Sequence, residues 1–469
     1  MHPGLADLLK YPLMSALAER RTRRIAQGVS LDAAGVSHTS TNPPKPLSAL
    51  EEAVLIVSTG LTAPVMHDGP LKRPDGRAEL GSPFMNVVGK TASSPDNSRA
   101  THFFLINDQG IWLIRNPRDA DARQLLGSLP PRWSEWSDND WIAVADAVKV
   151  QISDKRLDFP RKFPYYLGWN KQTSNVPGTT ILFPVVDCTR QYINALFTVL
   201  AEPDGERPVI VDDWQSFHPA DVAEAALWLG AQFGFPKRIP YHPIGGTKWV
   251  LNGFCNRDIS APLGMQRALR TDYESFFLLQ NLMLVGQAMG LGGWVHSSIF
   301  APWVLQRDPE KNEFGLGFRF ETPDRHWPQW PPLPSTQPNP VGIDGVLEGL
   351  CPPYVSSTDD AVDRFIEEKY GAASMYGDTE RFAAPYKNRS DAEEYLRHQT
   401  PFSPQSVEYV KEICRYLFDT YGRFPAHVDA FYVPGIWVQF SHLEIEYYEK
   451  YFKPELFTRQ AAHAAAWAE

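Results

Sequence analysis

One apolar stretch in the middle of the chain, residues 271–294, constrains the fold more than any other feature. Thr271 and Glu274 have the spacing of an N-terminal capping box, and Gly290 can adopt the left-handed backbone that ends a helix. Between these ends, apolar side chains cover most of the helical circumference, which is typical of a helix buried in a core or an interface. The stretch is too short and too polar for a membrane span. It therefore predicts a central buried helix followed by a glycine-rich loop.

Composition restricts the classes of protein to which the chain can belong. Of its 469 residues, 43% are hydrophobic and 12% aromatic, which is enough for a sizeable core. A net charge of −10 argues against a general binder of nucleic acids or anionic membranes. The four cysteines form no CxxC pair, so we expect a reducing compartment and predict no metal site. Without a signal peptide or a transmembrane run, we expect a cytoplasmic protein.

The central stretch also resembles a known family. Residues 280–284, Gln-Asn-Leu-Met-Leu, followed by residues 288–293, Ala-Met-Gly-Leu-Gly-Gly, look like the central helix of the nitroreductase superfamily of FMN flavoproteins. The resemblance implies a nitroreductase-like α+β fold, with an antiparallel sheet flanked by helices. The alternative is a core helix with no ligand nearby.

A basic run near the N-terminus provides a second point of resemblance. Residues 13–27 predict a helix that contains this run. Nitroreductases carry an Arg-x-Ser-x-Lys/Arg motif here that holds the FMN phosphate, and Arg20, Thr22 and Arg24 match its spacing, with Thr22 in place of Ser. Guanidinium groups and a hydroxyl are suitable phosphate ligands. The alternative is a solvated basic face.

A loop rich in serine, residues 93–104, provides the third point. It resembles the family segment Pro-Ser-x-x-Asn-x-Gln-Pro-Trp-x-Phe, in which the Asn contacts the flavin pyrimidine edge, and Asn97 falls on that position. Arg99 stands where Gln is usual, and Ala100 and Thr101 replace Pro-Trp. Asn97 can donate and accept hydrogen bonds at the flavin ring, and Arg99 can stabilise negative charge on the reduced flavin. The alternative is a polar loop before a strand.

Local patterns predict the elements around these motifs. A capping-box pattern predicts a helix over residues 47–60, which the resemblance places beneath the flavin. Residues 102–106 and 111–114 predict two strands joined by a turn. Residues 141–152 predict a further strand of the sheet.

Two later places correspond to flavin-contacting positions in the family. His296 and Ser297 follow the central helix, where family members contact the flavin, and His296 is a candidate proton donor to the substrate. A structural histidine is the alternative. Lys387 and Arg389 have the Lys-x-Arg spacing that some nitroreductases use as a second phosphate grip, although two basic residues this close are common by chance.

The motifs divide the chain into two parts. We predict a nitroreductase-like FMN-binding domain over residues 1–350, with an insertion at about 153–270 and its last core strand at 345–350. A helical C-terminal extension follows over residues 351–469. Its segment 403–469 carries much apolar surface that must be covered by its own subunit or by a partner. We favour the partner, because the resemblance implies a flavin at a dimer interface.

Together the motifs imply a chemistry. The resemblance implies an FMN-dependent oxidoreductase that transfers hydride from NAD(P)H through flavin N5 to an electron-poor organic acceptor, such as a nitroaromatic or a quinone. It also implies an intertwined homodimer, with no nucleic acid or membrane partner. Two alternatives remain: a flavin-dependent oxidase or dehydrogenase of a small molecule, and a non-catalytic scaffold with the same fold.

Overall fold

A long helix packed on a mixed-order antiparallel sheet organises the fold. The computed structural model describes residues 1–60, 62–64, 83–86, 88–115, 125–202, 205–211, 246–263, 269–321, 339–372, 374, 376–399, 401–421, 424, 427–429 and 435–468. The helices are α1 (Pro3–Leu8), α2 (Leu13–Glu19), α3 (Ala49–Gly60), α4 (Asp138–Val148), α5 (Thr189–Val199), α6 (Gly246–Leu251), α7 (Leu269–Met289), α8 (Ala301–Val304), α9 (Thr358–Tyr370), α10 (Thr379–Ala383), α11 (Arg389–His398), α12 (Pro404–Tyr421), α13 (Ile445–Tyr451), α14 (Thr458–Ala461) and α15 (His463–Ala466).

The strands are distributed along the whole chain. They are β1 (Ser30–Leu31), β2 (His38–Thr39), β3 (Thr62–Pro64), β4 (Val88–Lys90), β5 (Thr101–Asn107), β6 (Gly110–Ile114), β7 (Lys149–Ser153), β8 (Thr180–Asp187), β9 (Arg207–Val211), β10 (Cys255–Pro262), β11 (Gly292–Ile299), β12 (Arg319–Glu321), β13 (Asn339–Ile343), β14 (Leu347–Glu348), β15 (His427–Asp429) and β16 (Gly435–Ser441). The main sheet has the order β11-β16-β8-β5-β6-β7, and β15 also pairs with β8. Its pairings are antiparallel, whereas β9 and β10 pair in parallel in a separate two-stranded sheet. A mixture of helices and mainly antiparallel sheets is consistent with an α+β fold.

The main sheet is covered on both faces. Because successive side chains of a strand point to opposite faces, Leu105 and Phe440 pack under α3, α4 and α7, whereas Phe104 and Trp437 face a second core. Strand β8 lies in the middle and is buried along its whole length. A third apolar core joins α5, α9 and α12. Among the described residues, no helix is long and apolar enough to cross a membrane.

The predicted central helix is confirmed as α7. Gly290 ends it with a φ of +88°, and the N–H of Leu291 donates to Gly286 O at 3.0 Å. Gly286 also allows close packing on the sheet, because a Cβ there would lie 2.3 Å from Cε1 of Phe440. The predicted start of the helix is wrong. The helix begins at Leu269, so Glu274 lies in its second turn and its carboxylate bonds outside the helix.

Short-range predictions had mixed outcomes. The helix over residues 47–60 is confirmed as α3, and the β5–β6 hairpin is present. The helix predicted over residues 13–27 stops at Glu19, before the basic run. Residues 141–148 are helical rather than extended, because Ser137 and Asp140 form a capping box that starts α4, and only β7 is a strand.

The predicted boundaries of the domain also differ from the structure. Strand β8 falls in the range expected to be an insertion, yet it is the middle of the main sheet. Residues 203–204, 212–245 and 264–268 of that range lie outside the described part. Residues 347–348 pair within a separate sheet, β12-β13-β14, so the last core strand is β16 instead. Residues 351–469 are therefore not only helical, since β16 must pair with two strands of the domain.

The C-terminal segment packs on its own chain. Tyr447 and Tyr448 are buried against Ile25 and Val29, and the N–H of Arg24 donates to the Tyr448 hydroxyl at 3.1 Å. The apolar stripe of α12 lies in the third core. The expectation that this segment covers a partner subunit is wrong for these side chains, because α12 and β16 belong to the cores of the subunit itself.

Candidate functional site

The basic segment after α2 runs beside the start of β11. The N–H of Arg23 donates to Gly293 O at 3.2 Å, and residues 22–25 are alternately exposed and buried. Thr22 and Arg24 are exposed, and Arg20 is half-buried. A spacing of two residues therefore directs Thr22 and Arg24 outward together, which the predicted helix would not do.

Arg23, in the middle of the motif, has a structural role. Its guanidinium donates to Gln287 Oε1 and to Leu456 O, each at 2.9 Å, and its side chain is buried. Burial lowers the pKa of Arg23 from its ordinary value. The contacts tie α7 to the C-terminal segment and explain why helix α2 ends before this residue.

Arg24 is the best-placed cation of the motif for an anionic ligand. Its Nη1 donates to Asn170 Oδ1 at 2.7 Å, and its guanidinium carbon lies 5.8 Å from the centre of the Trp294 ring. The exposed hydroxyl of Thr22 is two residues away. An exposed guanidinium and a hydroxyl on one side of an extended segment suit a phosphate group.

Strand β11 separates the two predicted residues that follow the central helix. His296 is 1% exposed, and its ring centre lies 4.6 Å from that of Trp294 and 5.6 Å from that of Trp437. Ser297 is exposed and points to the other face, as does Val295. Burial and then the charge of Arg24 lower the pKa of His296 to about 3, so its imidazole is neutral at pH 7.

The loop that carries Asn97 and Arg99 has an unusual backbone. Asp96, Asn97 and Arg99 have φ angles of +50°, +50° and +54°, a region that side chains other than glycine disfavour. The buried carboxylate of Glu274 holds the end of this loop. Its Oε1 accepts from the N–H of Thr101 at 2.9 Å, and its Oε2 accepts from Ala100 N at 3.3 Å and from the Ser94 hydroxyl.

Both predicted residues of this loop are largely covered within the subunit. Asn97 is 8% exposed, and its amide donates to Asn86 O at 2.5 Å. Arg99 is buried too, but it lines a cleft of about 230 Å³. Arg115, Arg190 and Asp187 line the same cleft. Arg190 forms ion pairs with Asp187 at 2.6 Å and with Glu368 at 2.7 Å. Burial alone would lower the pKa of Arg190, but the two carboxylates raise it above its ordinary value.

A buried polar network behind the loop was missed by sequence reasoning. The amide of Gln191 donates to the carboxylate of Asp96, and Asn194 Oδ1 accepts from Lys369 Nζ at 2.9 Å. Burial lowers the pKa of Lys369 to about 7. The members come from α5, α9 and the loop, so no spacing in the sequence brings them together. Through the contact of Gln191 with Asp96, the network holds the strained loop against α5.

The second basic pair does not join the first. Arg389 begins α11 and donates to Glu393 Oε1 at 2.7 Å and to Glu380. Among the described residues, these two glutamates are its ion-pair partners, and Lys387 is exposed in the bend that precedes α11. The charge of Arg389 is therefore neutralised by Glu380 and Glu393. Lys387 and Arg389 lie in a different part of the fold from Arg20 and Arg24.

The two halves of the expected flavin site lie at opposite ends of α7. Glu274 contacts the Asn97 loop near the start of the helix, whereas the Arg24 segment adjoins β11, which follows its end. At a rise of 1.5 Å per residue, these ends are separated by on the order of 20 Å. The sheet register agrees: Trp294 is level with Ile181 of β8, whereas Thr101 is level with Val186.

Exposed apolar side chains occur on α7 and on two elements that pack against it, α2 and β11. We call it the α7 surface. It includes Tyr273 and Phe277 of α7, which are 52% and 48% exposed, together with Leu13, Met14 and Leu17 of α2 and Val295 of β11. Apolar side chains grouped in this way mark an interaction surface more often than an exposed single residue does.

Comparison with known proteins identified no relative of this chain. No model of a protein family matches the chain, and a search of curated proteins finds no match. The nitroreductase interpretation therefore depends on the three motifs and stays a prediction.

Proposed function

We propose that the protein is an FMN-dependent oxidoreductase that acts as a homodimer, with each flavin site shared between two subunits. One observation carries the proposal: α7 joins the Arg24 segment at one end to the Asn97 loop at the other, and two aromatic side chains of its first half, Tyr273 and Phe277, are exposed. Two copies that pack this surface about a twofold axis across α7 have antiparallel helices. In such a dimer, the Arg24 segment of one subunit and the Asn97 loop of the partner subunit are at the same end of the helix pair.

The exposed aromatic side chains supply a driving force for this arrangement. Tyr273 and Phe277 project from α7 with about half of their surface in contact with solvent. Burying an aromatic or aliphatic side chain completely contributes roughly 1.5–3 kcal/mol, and a twofold axis counts each contact twice. The gain is reduced by the loss of side-chain freedom on association.

The residues at the two ends match the parts of FMN. Arg20, Thr22 and Arg24 offer charge and a hydroxyl for the phosphate, whereas Ser297 lies on the face of the adjoining strand opposite Trp294, the ring beside Arg24. Asn97 and Arg99 of the partner subunit are the proposed contacts of the flavin ring, and both would have to turn out of their covered positions to reach it. The bound cofactor supplies the hydride chemistry, from NAD(P)H to an electron-poor organic acceptor, and the protein positions and shields it.

His296 keeps a narrower role in this proposal. Because its pKa is lowered to about 3, it acts at neutral pH as an uncharged imidazole. An uncharged imidazole can donate a hydrogen bond from its N–H but cannot stabilise charge as imidazolium does. Its ring packs against that of Trp294, so His296 also stabilises the strand that carries Ser297.

The first test is the flavin itself. Purified protein is expected to be yellow, to release FMN on denaturation and to be reduced by NAD(P)H without oxygen. Protein that stays colourless after incubation with FMN would favour the scaffold alternative. Flavin that is reduced by a small-molecule donor but not by NAD(P)H would favour the oxidase or dehydrogenase alternative.

The second test distinguishes a shared site from a site within one subunit. Arg24→Ala and Arg99→Ala subunits with different affinity tags are coexpressed, and the mixed dimer is isolated with both tags. In a shared site, the mixed dimer has one intact site, so it retains about half of the wild-type flavin while each parent variant loses most of it. A mixed dimer with as little flavin as its parents contradicts the shared site.

A further inference from the structure

A second cluster of chemically active side chains lies apart from the expected flavin residues. Glu51 of α3, His442 after β16 and His463 of α15 are all buried, and one ligand atom from each lies within 4.8 Å of the others. Glu51 Oε1 is 3.1 Å from His442 Nε2 and 2.7 Å from His463 Nε2. Two imidazoles and one carboxylate thus converge on a single buried point.

Backbone contacts determine which nitrogen of each imidazole carries a proton. His442 Nδ1 lies 3.1 Å from Lys45 O, and His463 Nδ1 lies 2.8 Å from Met289 O. A carbonyl oxygen only accepts, so both Nδ1 atoms must be donors. A neutral imidazole then has its lone pair at Nε2, which in both residues faces the carboxylate.

This arrangement brings several lone pairs together. His442 Nε2 is aligned for a hydrogen bond with Glu51, but His463 Nε2 is not, although it is close to the same oxygen. His463 Nε2 is buried and has no hydrogen-bond partner. If His463 is neutral, its Nε2 lone pair faces a carboxylate oxygen 2.7 Å away, which is an unfavourable contact. A cation between the three groups removes this repulsion and is bound by all three.

The distances and the outer contacts are those of a metal site. Zinc takes histidine nitrogen and glutamate oxygen as ligands at about 2.0–2.2 Å, so neighbouring ligand atoms of a tetrahedral site are roughly 3.3 Å apart. The observed separations of 3.1 and 2.7 Å require only small movements. Ligand histidines usually donate their other ring N–H to a carbonyl or carboxylate, as both do here.

We propose that Glu51, His442 and His463 bind one divalent transition-metal ion, and that this ion is zinc. The second oxygen of Glu51 accepts from Ser48 N at 2.7 Å, so the capping contact of α3 orients the carboxylate for the ion. The ion joins α3, the end of β16 and α15. Since His463 also bonds the last residue of α7, the ion anchors the C-terminal segment beside the segment that carries Arg24.

The test measures zinc directly in the full-length protein. After exposure to ZnCl₂ and removal of excess metal, wild-type protein is expected to hold one equivalent by elemental analysis. His463→Gln and Glu51→Gln should bind Zn²⁺ at least about 100-fold more weakly in competition with a chromophoric chelator, since loss of an outer partner alone costs 10–100-fold. Replacement by Co²⁺ should give a visible absorption band that both variants lack.

A matched control separates loss of a ligand from loss of folding. His296→Gln also replaces a buried histidine, but its ring contacts are Trp294, Trp437 and Tyr166 and lie apart from Glu51, so its zinc affinity should equal that of wild type. Circular dichroism checks that each variant is folded, and Glu51→Gln keeps an oxygen for the Ser48 contact. Wild-type protein that takes up no zinc, or ligand variants that bind it as tightly as wild type, would overturn the proposal and leave a buried ion-pair network.

Discussion

Glu274 of the central helix accepts a hydrogen bond from the backbone N–H of Thr101 at 2.9 Å, across 173 residues of sequence. The carboxylate is fully buried and also bonds the N–H of Ala100, so it holds the loop of Asn97 and Arg99 against the helix. Three residues of this loop have left-handed backbone angles that cost free energy, and a strong acceptor offsets part of that cost.

Replacing Glu274 by Gln should therefore destabilise the fold and release the loop. Hydrogen bonds to charged groups contribute about 1.5–3 kcal/mol, and the amide of Gln presents only one acceptor oxygen to three donors. Chemical denaturation should report a loss of that size, and FMN affinity should fall with it. The control is Glu310→Gln at an exposed position. Equal stability of the two variants would contradict the role given to Glu274.

The α7 surface should hold two subunits together. Phe277→Arg places a charge where the proposed twofold contact is apolar, so we expect a monomer by size-exclusion chromatography with light scattering. Leu251→Arg is the matched control, because Leu251 is 82% exposed and lies on α6, outside the α7 surface. Wild type and the control should be dimers. A Phe277→Arg dimer of unchanged stability would argue against this interface.

Arg24 and Lys387 should differ in their effect on flavin binding. Arg24→Ala removes an exposed guanidinium beside Thr22 and should weaken FMN by roughly tenfold to a hundredfold, the effect of losing a charge-assisted bond of about 1.5–3 kcal/mol. Lys387→Ala should leave the affinity near that of wild type. Titration followed by flavin fluorescence measures both. If Lys387→Ala has the larger effect, the phosphate is bound by the second basic pair instead.

Asp272 should make stability depend on pH. Burial raises the pKa of its carboxyl to about 7, above the value of about 3.9 in an unfolded chain. Between these values the folded state binds more protons, so stability due to this group is present at low pH and is lost as pH rises toward 7.

Asp272→Asn removes this titration. Its Tm should exceed that of wild type by more at pH 8 than at pH 5. Asp258→Asn, at an exposed position, should show no such difference between the two pH values. A constant Tm difference for Asp272→Asn would mean that the carboxyl is not held in its neutral form.

Features with a short sequence range were predictable. The central helix and its end at Gly290 follow from apolar spacing and from one glycine that can adopt a positive φ. The α3 capping box and the β5–β6 hairpin likewise depend on residues three to five positions apart. The strand predicted over residues 141–148 failed because the local capping box of α4 was overlooked, whereas the helix predicted through Gln27 failed because a distant partner competes with the local pattern. Arg23, for example, bonds Leu456 O instead of continuing α2.

The sequence by itself determined that a buried helix would end at Gly290 and that arginines, a hydroxyl and an amide would accompany it. It did not determine where these groups lie, because side-chain spacing carries no information beyond a few turns. Only the tertiary structure decided that Arg24 and Arg99 lie at opposite ends of α7, and that Glu51 meets a histidine 391 residues away. These meetings depend on β16 entering the sheet between β11 and β8, which long-range pairing alone can bring about.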